Sequence, residues 1–147
     1  MLNTLSTALT RLRGGEDDAV ALVSETDGII DYAELDRRVT ARREQLGSIR
    51  RLVMLGAANT VESIVTYLAA LEGGHPVLLV SSGADEVSVR HRRSLAERFS
   101  PDVLAGCGGE DQQLEFVREG SIHEFSDDLA MLVSTSGSTG SPKLVRL

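Results

Sequence analysis

The sequence predicts an α/β protein: a mostly parallel sheet with helices on both faces. Three observations carry that prediction. Short aliphatic runs at residues 52–55, 76–80, 103–105 and 129–133 read as buried strands. Segments with helical periodicity separate the first three of them. The first two runs and the helix between them form a unit of about thirty residues, the size of a crossover that makes its two strands parallel.

Leu2, Leu5, Leu9 and Leu12 recur at helical spacing, so a short amphipathic helix opens the chain and breaks at Gly14-Gly15. Residues 20–23 form a strand, Thr26-Asp27-Gly28 turns it, and Ile29-Ile30 returns as a second short one. Asp31 caps the next helix, whose buried stripe is Tyr32, Leu35, Val39 and Leu46. The opposite face carries Arg37, Arg38, Arg42 and Arg43, but Glu34 and Glu44 interleave and aromatics are absent. That marks a solvated face and not a nucleic-acid surface.

The strand at 52–55 ends at Gly56. Asn59 and Glu62 have capping-box spacing and open a helix over 60–72. Val61, Ile64, Val65, Leu68, Ala69, Ala70 and Leu71 make it apolar nearly all round, so it needs burial on more than one side. Gly73-Gly74 stops it before the strand at 76–80. A helix over 85–99 has acids in its first turn and arginines later, matching its dipole, and Ser100-Pro101 ends it. Residues 103–105 are strand, 106–111 a Gly-rich acidic loop, and 113–118 an edge strand. Residues 129–133 lead into a Ser/Gly/Thr stretch, and 144–147 begin a strand with nothing to pair with.

Composition narrows the function classes. A chain of 147 residues makes one domain or one lobe of a larger one. A net charge of −7 argues against nucleic acid and anionic membrane as partners. No apolar run reaches the length of a membrane span, and residues 1–13 do not form a signal peptide, so a cytoplasmic location is expected. Cys107 is the single cysteine, which excludes an intrachain disulfide and a cysteine-based zinc site. His75, His91 and His123 show no ligand spacing, so no metal site is expected; Asp17-Asp18 and Asp127-Asp128 read as solvated loop acids.

The informative segment is Ser134-Thr135-Ser136-Gly137-Ser138-Thr139-Gly140-Ser141-Pro142-Lys143. Glycines let backbone amides turn toward a ligand, and hydroxyls and a cation add donors around the same space, the chemistry of a polyphosphate cradle. Lys143 is the one lysine among 15 cationic residues. A flexible linker of this composition would not sit so tightly between two strand-like runs. Nor is this a Walker P-loop, because Pro142 stands in place of the second glycine and Leu144 in place of the magnesium-binding hydroxyl. Gly106, Gly108 and Gly109 lack the dinucleotide fingerprint and its following helix.

Residues 135–143 resemble the phosphate-loop signature of the acyl-adenylate-forming (AMP-binding) enzymes, with residues 129–133 similar to that family's lead-in strand. Asp31-Tyr32-Ala33-Glu34-Leu35 resembles an early Tyr-x-Glu-Leu helix start. Leu71-Glu72-Gly73-Gly74-His75-Pro76-Val77 resembles a Gly-Gly turn into a buried strand. The resemblance runs from Val20 onward and departs from the family at Leu144, where glycine is usual and a local change in the following turn is expected.

What the resemblance implies is the N-terminal part of an ATP-dependent carboxylate-activating ligase. The acyl group would then pass to coenzyme A or an acyl-carrier protein, as in acyl-CoA synthetases or fatty acyl-AMP ligases of fatty acid metabolism. Thr135, Ser136, Gly137, Ser138, Thr139, Gly140 and Lys143 would hold ATP phosphates. The Mg2+ ligands, catalytic lysine and substrate pocket would lie downstream, so residues 1–147 are expected to be truncated after the phosphate loop, inactive alone, and partnered by the remainder of their own protein. Two other readings stay open, a non-catalytic nucleotide- or phosphate-binding module and a purely structural lobe.

Overall fold

The computed structural model of the chain describes residues 18–108, 113–135 and 143–146. The helix expected over residues 2–12 lies outside the described residues. Strands β1 (Val20–Ser24) and β2 (Gly28–Asp31) form an antiparallel hairpin. Then follow α1 (Tyr32–Leu46), β3 (Val53–Ala57), α2 (Val61–Glu72), β4 (Val77–Ser81) and α3 (Glu86–Phe99). Strands β5 (Val103–Ala105), β6 (Leu114–Phe116), β7 (Met131–Thr135) and β8 (Lys143–Arg146) complete the described elements.

The main sheet has the order β6-β5-β3-β4-β7-β8. Its four inner strands are mutually parallel, and antiparallel β6 and β8 close the two edges. Period-two alternation divides the strand residues between two cores. Val53, Leu55, Val77 and Val103 face Leu35, Val39 and Leu46 of α1 and Val61, Val65 and Ala69 of α2. Leu52, Met54, Leu78 and Val80 face Leu95 of α3 on the other side. The sheet is therefore covered on both faces, as the sequence predicts. Ala69 and Ala70 are fully buried where α2 packs against α1 and the sheet, the two-sided burial that its apolar circumference demands.

Local chemistry sets the boundaries, sometimes away from where the sequence pattern puts them. Asp31 caps α1 as expected, its Oδ1 accepting from the Glu34 amide at 2.7 Å. The cap of α2 is Thr60 and not Asn59. The Thr60 hydroxyl accepts from the Ser63 amide at 3.2 Å, while Ser63 Oγ accepts from the Ala58 amide at 3.1 Å. That reciprocal pair leaves Glu62 free of the cap, and its carboxylate meets Arg42 at 2.9 Å instead. The arginine face of α1 is indeed matched by acids, since Arg38 pairs with Glu34 at 2.7 Å and with Asp27 at 3.2 Å.

Strand β3 runs through Gly56 to Ala57 and does not end at the glycine. A Cβ at Gly56 would stand 2.0 Å from the Gly106 carbonyl oxygen, so this glycine is the condition for β3 and the β5 loop to approach. At the C-terminal side, residues 143–146 have a partner after all. They pair antiparallel with β7, so the expectation of an unpaired final run is corrected. Leu144 lies within that strand and does not begin a turn.

Buried polar contacts tie loops to the sheet. Asp102 is fully buried and accepts from the Leu52 amide at 2.9 Å, Ser121 Oγ at 2.7 Å and Arg118 Nη1 at 2.5 Å. Burial pushes its carboxyl up, but the hydrogen bonds from Ser121, Leu52 and Arg118 outweigh that and hold it below the usual carboxylate range.

Candidate functional site

The carboxyl ends of β3, β4, β5 and β7 form one edge of the sheet, because these strands are parallel. The chain leaves β3 for α2 on one face and leaves β4 for α3 on the other. Neighbouring strands whose connections diverge in this way open a crevice at the carboxyl edge, the usual ligand position in such sheets. Strand β7 lies beside β4, so the segment following β7 departs from the same edge.

Strands β7 and β8 are in register from Leu132↔Arg146 to Thr135↔Lys143. Of the predicted phosphate-binding residues, Thr135 and Lys143 are therefore brought together as strand partners. Ser136, Gly137, Ser138, Thr139 and Gly140 lie outside the described residues. A hairpin so closed brings both ends of the glycine- and hydroxyl-rich segment to one place on the sheet edge.

Strand β7 starts two residues later than the pattern predicts, at Met131, because the residues before it are fastened as a turn. Leu129 donates its amide to Ser126 O at 3.0 Å. Arg50 then clamps this turn, donating Nη2 to Ser126 O at 3.1 Å and to Leu129 O at 2.9 Å. Its Nε donates to Gly74 O at 2.8 Å. The guanidinium also lies over the Phe125 ring, 5.4 Å from its centroid.

At the other end of β7, α3 makes two contacts at the sheet edge. His91 Nε2 lies 3.2 Å from Ser134 Oγ. Arg92 is nearly buried, and its Nη1 donates to Ser81 O at 2.7 Å and Gly83 O at 2.6 Å, holding the loop that leaves β4. The sequence marks His91 only as a histidine without ligand spacing. The signal that marks it is spacing, since position 91 lies one turn before the buried Leu95 on the same helix face.

The remaining candidates resolve into structural roles. His75 is buried, and His123 Nε2 lies 2.9 Å from Ser100 O. The Cys107 thiol donates toward Ala105 O at 3.4 Å and Met54 O at 3.6 Å, and burial pushes its pKa up, which suits an inert residue. Among the described residues no group of three or more His, Cys, Asp or Glu could hold a metal ion, and no helix is long and apolar enough to cross a membrane.

The fold is a mostly parallel α/β lobe like the N-terminal portion of adenylate-forming enzymes. No family model and no curated protein sequence matches the chain. Solved structures do. ATP-bound MatB from Rhodopseudomonas palustris is 21% identical with a TM-score of 0.68, over 95% of this chain and 34% of that one. O-succinylbenzoate coenzyme A synthetase (MenE) from Bacillus subtilis, in complex with AMP, is 21% identical with a TM-score of 0.68, over 94% of this chain and 41% of that one. The NpsA N-terminal subdomain from Klebsiella oxytoca, in complex with anthranilyl-AMSN, is 22% identical with a TM-score of 0.67, over 99% of this chain and 40% of that one. The chain thus spans well under half the length of these three structures. At such identities the likeness establishes the fold.

Proposed function

We propose that the chain is the N-terminal part of an ATP-dependent carboxylate-activating ligase, with residues 135–143 holding the β- and γ-phosphates of ATP. The observation that carries this reading is the β7–β8 register, which makes Thr135 and Lys143 partners at the base of the loop. The fold adds support, being shared with structures solved bound to ATP and to AMP.

In the reaction, a carboxylate oxygen of the substrate attacks the α-phosphorus of ATP. The bond from that phosphorus to the bridging oxygen breaks, and pyrophosphate leaves with the electron pair. Charge grows on the departing pyrophosphate, so backbone amides of Gly137 and Gly140, the hydroxyls of Thr135, Ser136, Ser138 and Thr139, and the Lys143 ammonium stabilise that step. The acyl-adenylate then passes its acyl group to a thiol of coenzyme A or of an acyl-carrier protein, in a cytoplasmic acyl-CoA synthetase or fatty acyl-AMP ligase. ATP is used with Mg2+, whose ligands we place in the remainder of the enzyme together with the catalytic lysine.

The test is exchange of labelled pyrophosphate into ATP, dependent on an added carboxylic acid, by the protein expressed from its gene. A charge-assisted phosphate contact contributes about 1.5–3 kcal/mol, so Lys143→Ala should lower the exchange rate by about tenfold or more. A wild-type rate in that variant would show that Lys143 has been misassigned.

A further inference from the structure

The contacts between α3 and β7 change character along their length. Deep in the sheet, Leu95 is fully buried in a core that Leu132 packs against. One turn earlier in the helix and two residues later in the strand, the pair becomes polar, with His91 Nε2 3.2 Å from Ser134 Oγ. Residues four apart in a helix and two apart in a strand each share a face, so both pairs belong to one seam. Apolar packing there is non-directional, whereas a hydrogen bond sets distance and angle.

That directional contact falls at a telling place. Ser134 is the partner of Leu144, next to the Thr135↔Lys143 pair that closes the loop. Arg92, adjacent in the helix, holds Ser81 O and Gly83 O at the end of β4. Consecutive residues of α3 therefore hold the outgoing ends of two neighbouring strands.

We propose that His91 is a positioning residue, whose hydrogen bond to Ser134 sets the direction in which β7 delivers the chain to the phosphate loop. This rests on the phosphate reading of residues 135–143. In this reading His91 acts through Ser134, and the loss of one such hydrogen bond is worth about threefold to tenfold in affinity.

The experiment is calorimetric titration with inorganic pyrophosphate, using the protein expressed from its gene. Variants are His91→Leu, Ser134→Ala, the two combined, and His91→Gln, whose side-chain amide reaches the position of Nε2. Each is also unfolded in urea. We expect His91→Leu and Ser134→Ala each to weaken binding about threefold to tenfold while staying fully folded in the absence of urea, and the double variant to be no worse than the weaker single one. His91→Gln should recover most of the affinity. Wild-type affinity in His91→Leu, additive losses, or no recovery in His91→Gln overturns the positioning role while the phosphate reading stands. Loss of binding only in step with loss of fold, His91→Gln included, makes His91 structural and overturns it too. If the wild-type protein binds neither pyrophosphate nor ATP, the phosphate reading itself fails and the role of His91 falls with it.

Discussion

His75 shows how one side chain fastens segments far apart in the chain. Its Nδ1 accepts from the Arg51 amide at 3.2 Å, and its Nε2 donates to Gly47 O at 3.2 Å, an arrangement only the neutral ring can make. Burial pushes its pKa below the ordinary value, and the neighbouring Arg51 and Arg50 charges push the same way. The unfolded chain takes up this proton near pH 6.5, the folded one only at lower pH, so His75 stability is complete above about pH 6.5 and falls as pH drops below it. Urea unfolding at pH 7.5 and 5.5 should show the wild type losing more stability than His75→Gln, by up to about 1.4 kcal/mol per pH unit. Equal losses would mean that His75 carries no such linkage. Neither this role nor that of Asp102 is legible in the sequence, because the Leu52 amide that Asp102 receives is 50 residues away. For His91 the spacing from Leu95 marks the helix face, but its partner Ser134 is 43 residues away and is not marked. Local patterns report only neighbours within a turn or a strand.

Elements fared better, since each is decided by periodicity and by its own ends. The buried stripe of α1 holds at Leu35, Val39 and Leu46 with Tyr32 half-buried, and the inner strands and a shorter edge strand β6 follow from which positions are apolar. Boundaries moved where side chains competed for one job. Thr60 displaced Asn59 as cap because Ser63 could answer it with a hydroxyl, and Arg50 held residues 126–129 in a turn that apolar pattern alone reads as strand. Gly56 looked like a stop signal but serves close approach. Gly56→Ala should therefore destabilise the fold by about 1–3 kcal/mol, because the Gly106 carbonyl must retreat from the new methyl group. Gly108→Ala is the control, as a Cβ there meets nothing within 4 Å. Urea midpoints of the two variants check this, and equal midpoints would contradict the close-approach account.

At the scale of the molecule, the sheet order explains why one loop matters. Four parallel strands put their carboxyl ends on one edge, diverging connections open it between β3 and β4, and β7 and β8 flank the glycine- and hydroxyl-rich segment beside it. The phosphate reading of that segment rests on its glycines, hydroxyls and one lysine, which are local features of the sequence. The partner of the last strand was not legible there, since pairing is a long-range choice that a four-residue run does not reveal. The central claim is that this hairpin loop holds the β- and γ-phosphates through Lys143. It is tested most directly by calorimetric titration of the wild-type protein and Lys143→Ala with pyrophosphate, ATP and AMP. We predict that the substitution weakens pyrophosphate and ATP by about tenfold or more and leaves AMP, which lacks both phosphates, unchanged. Unchanged pyrophosphate affinity in Lys143→Ala would contradict the claim.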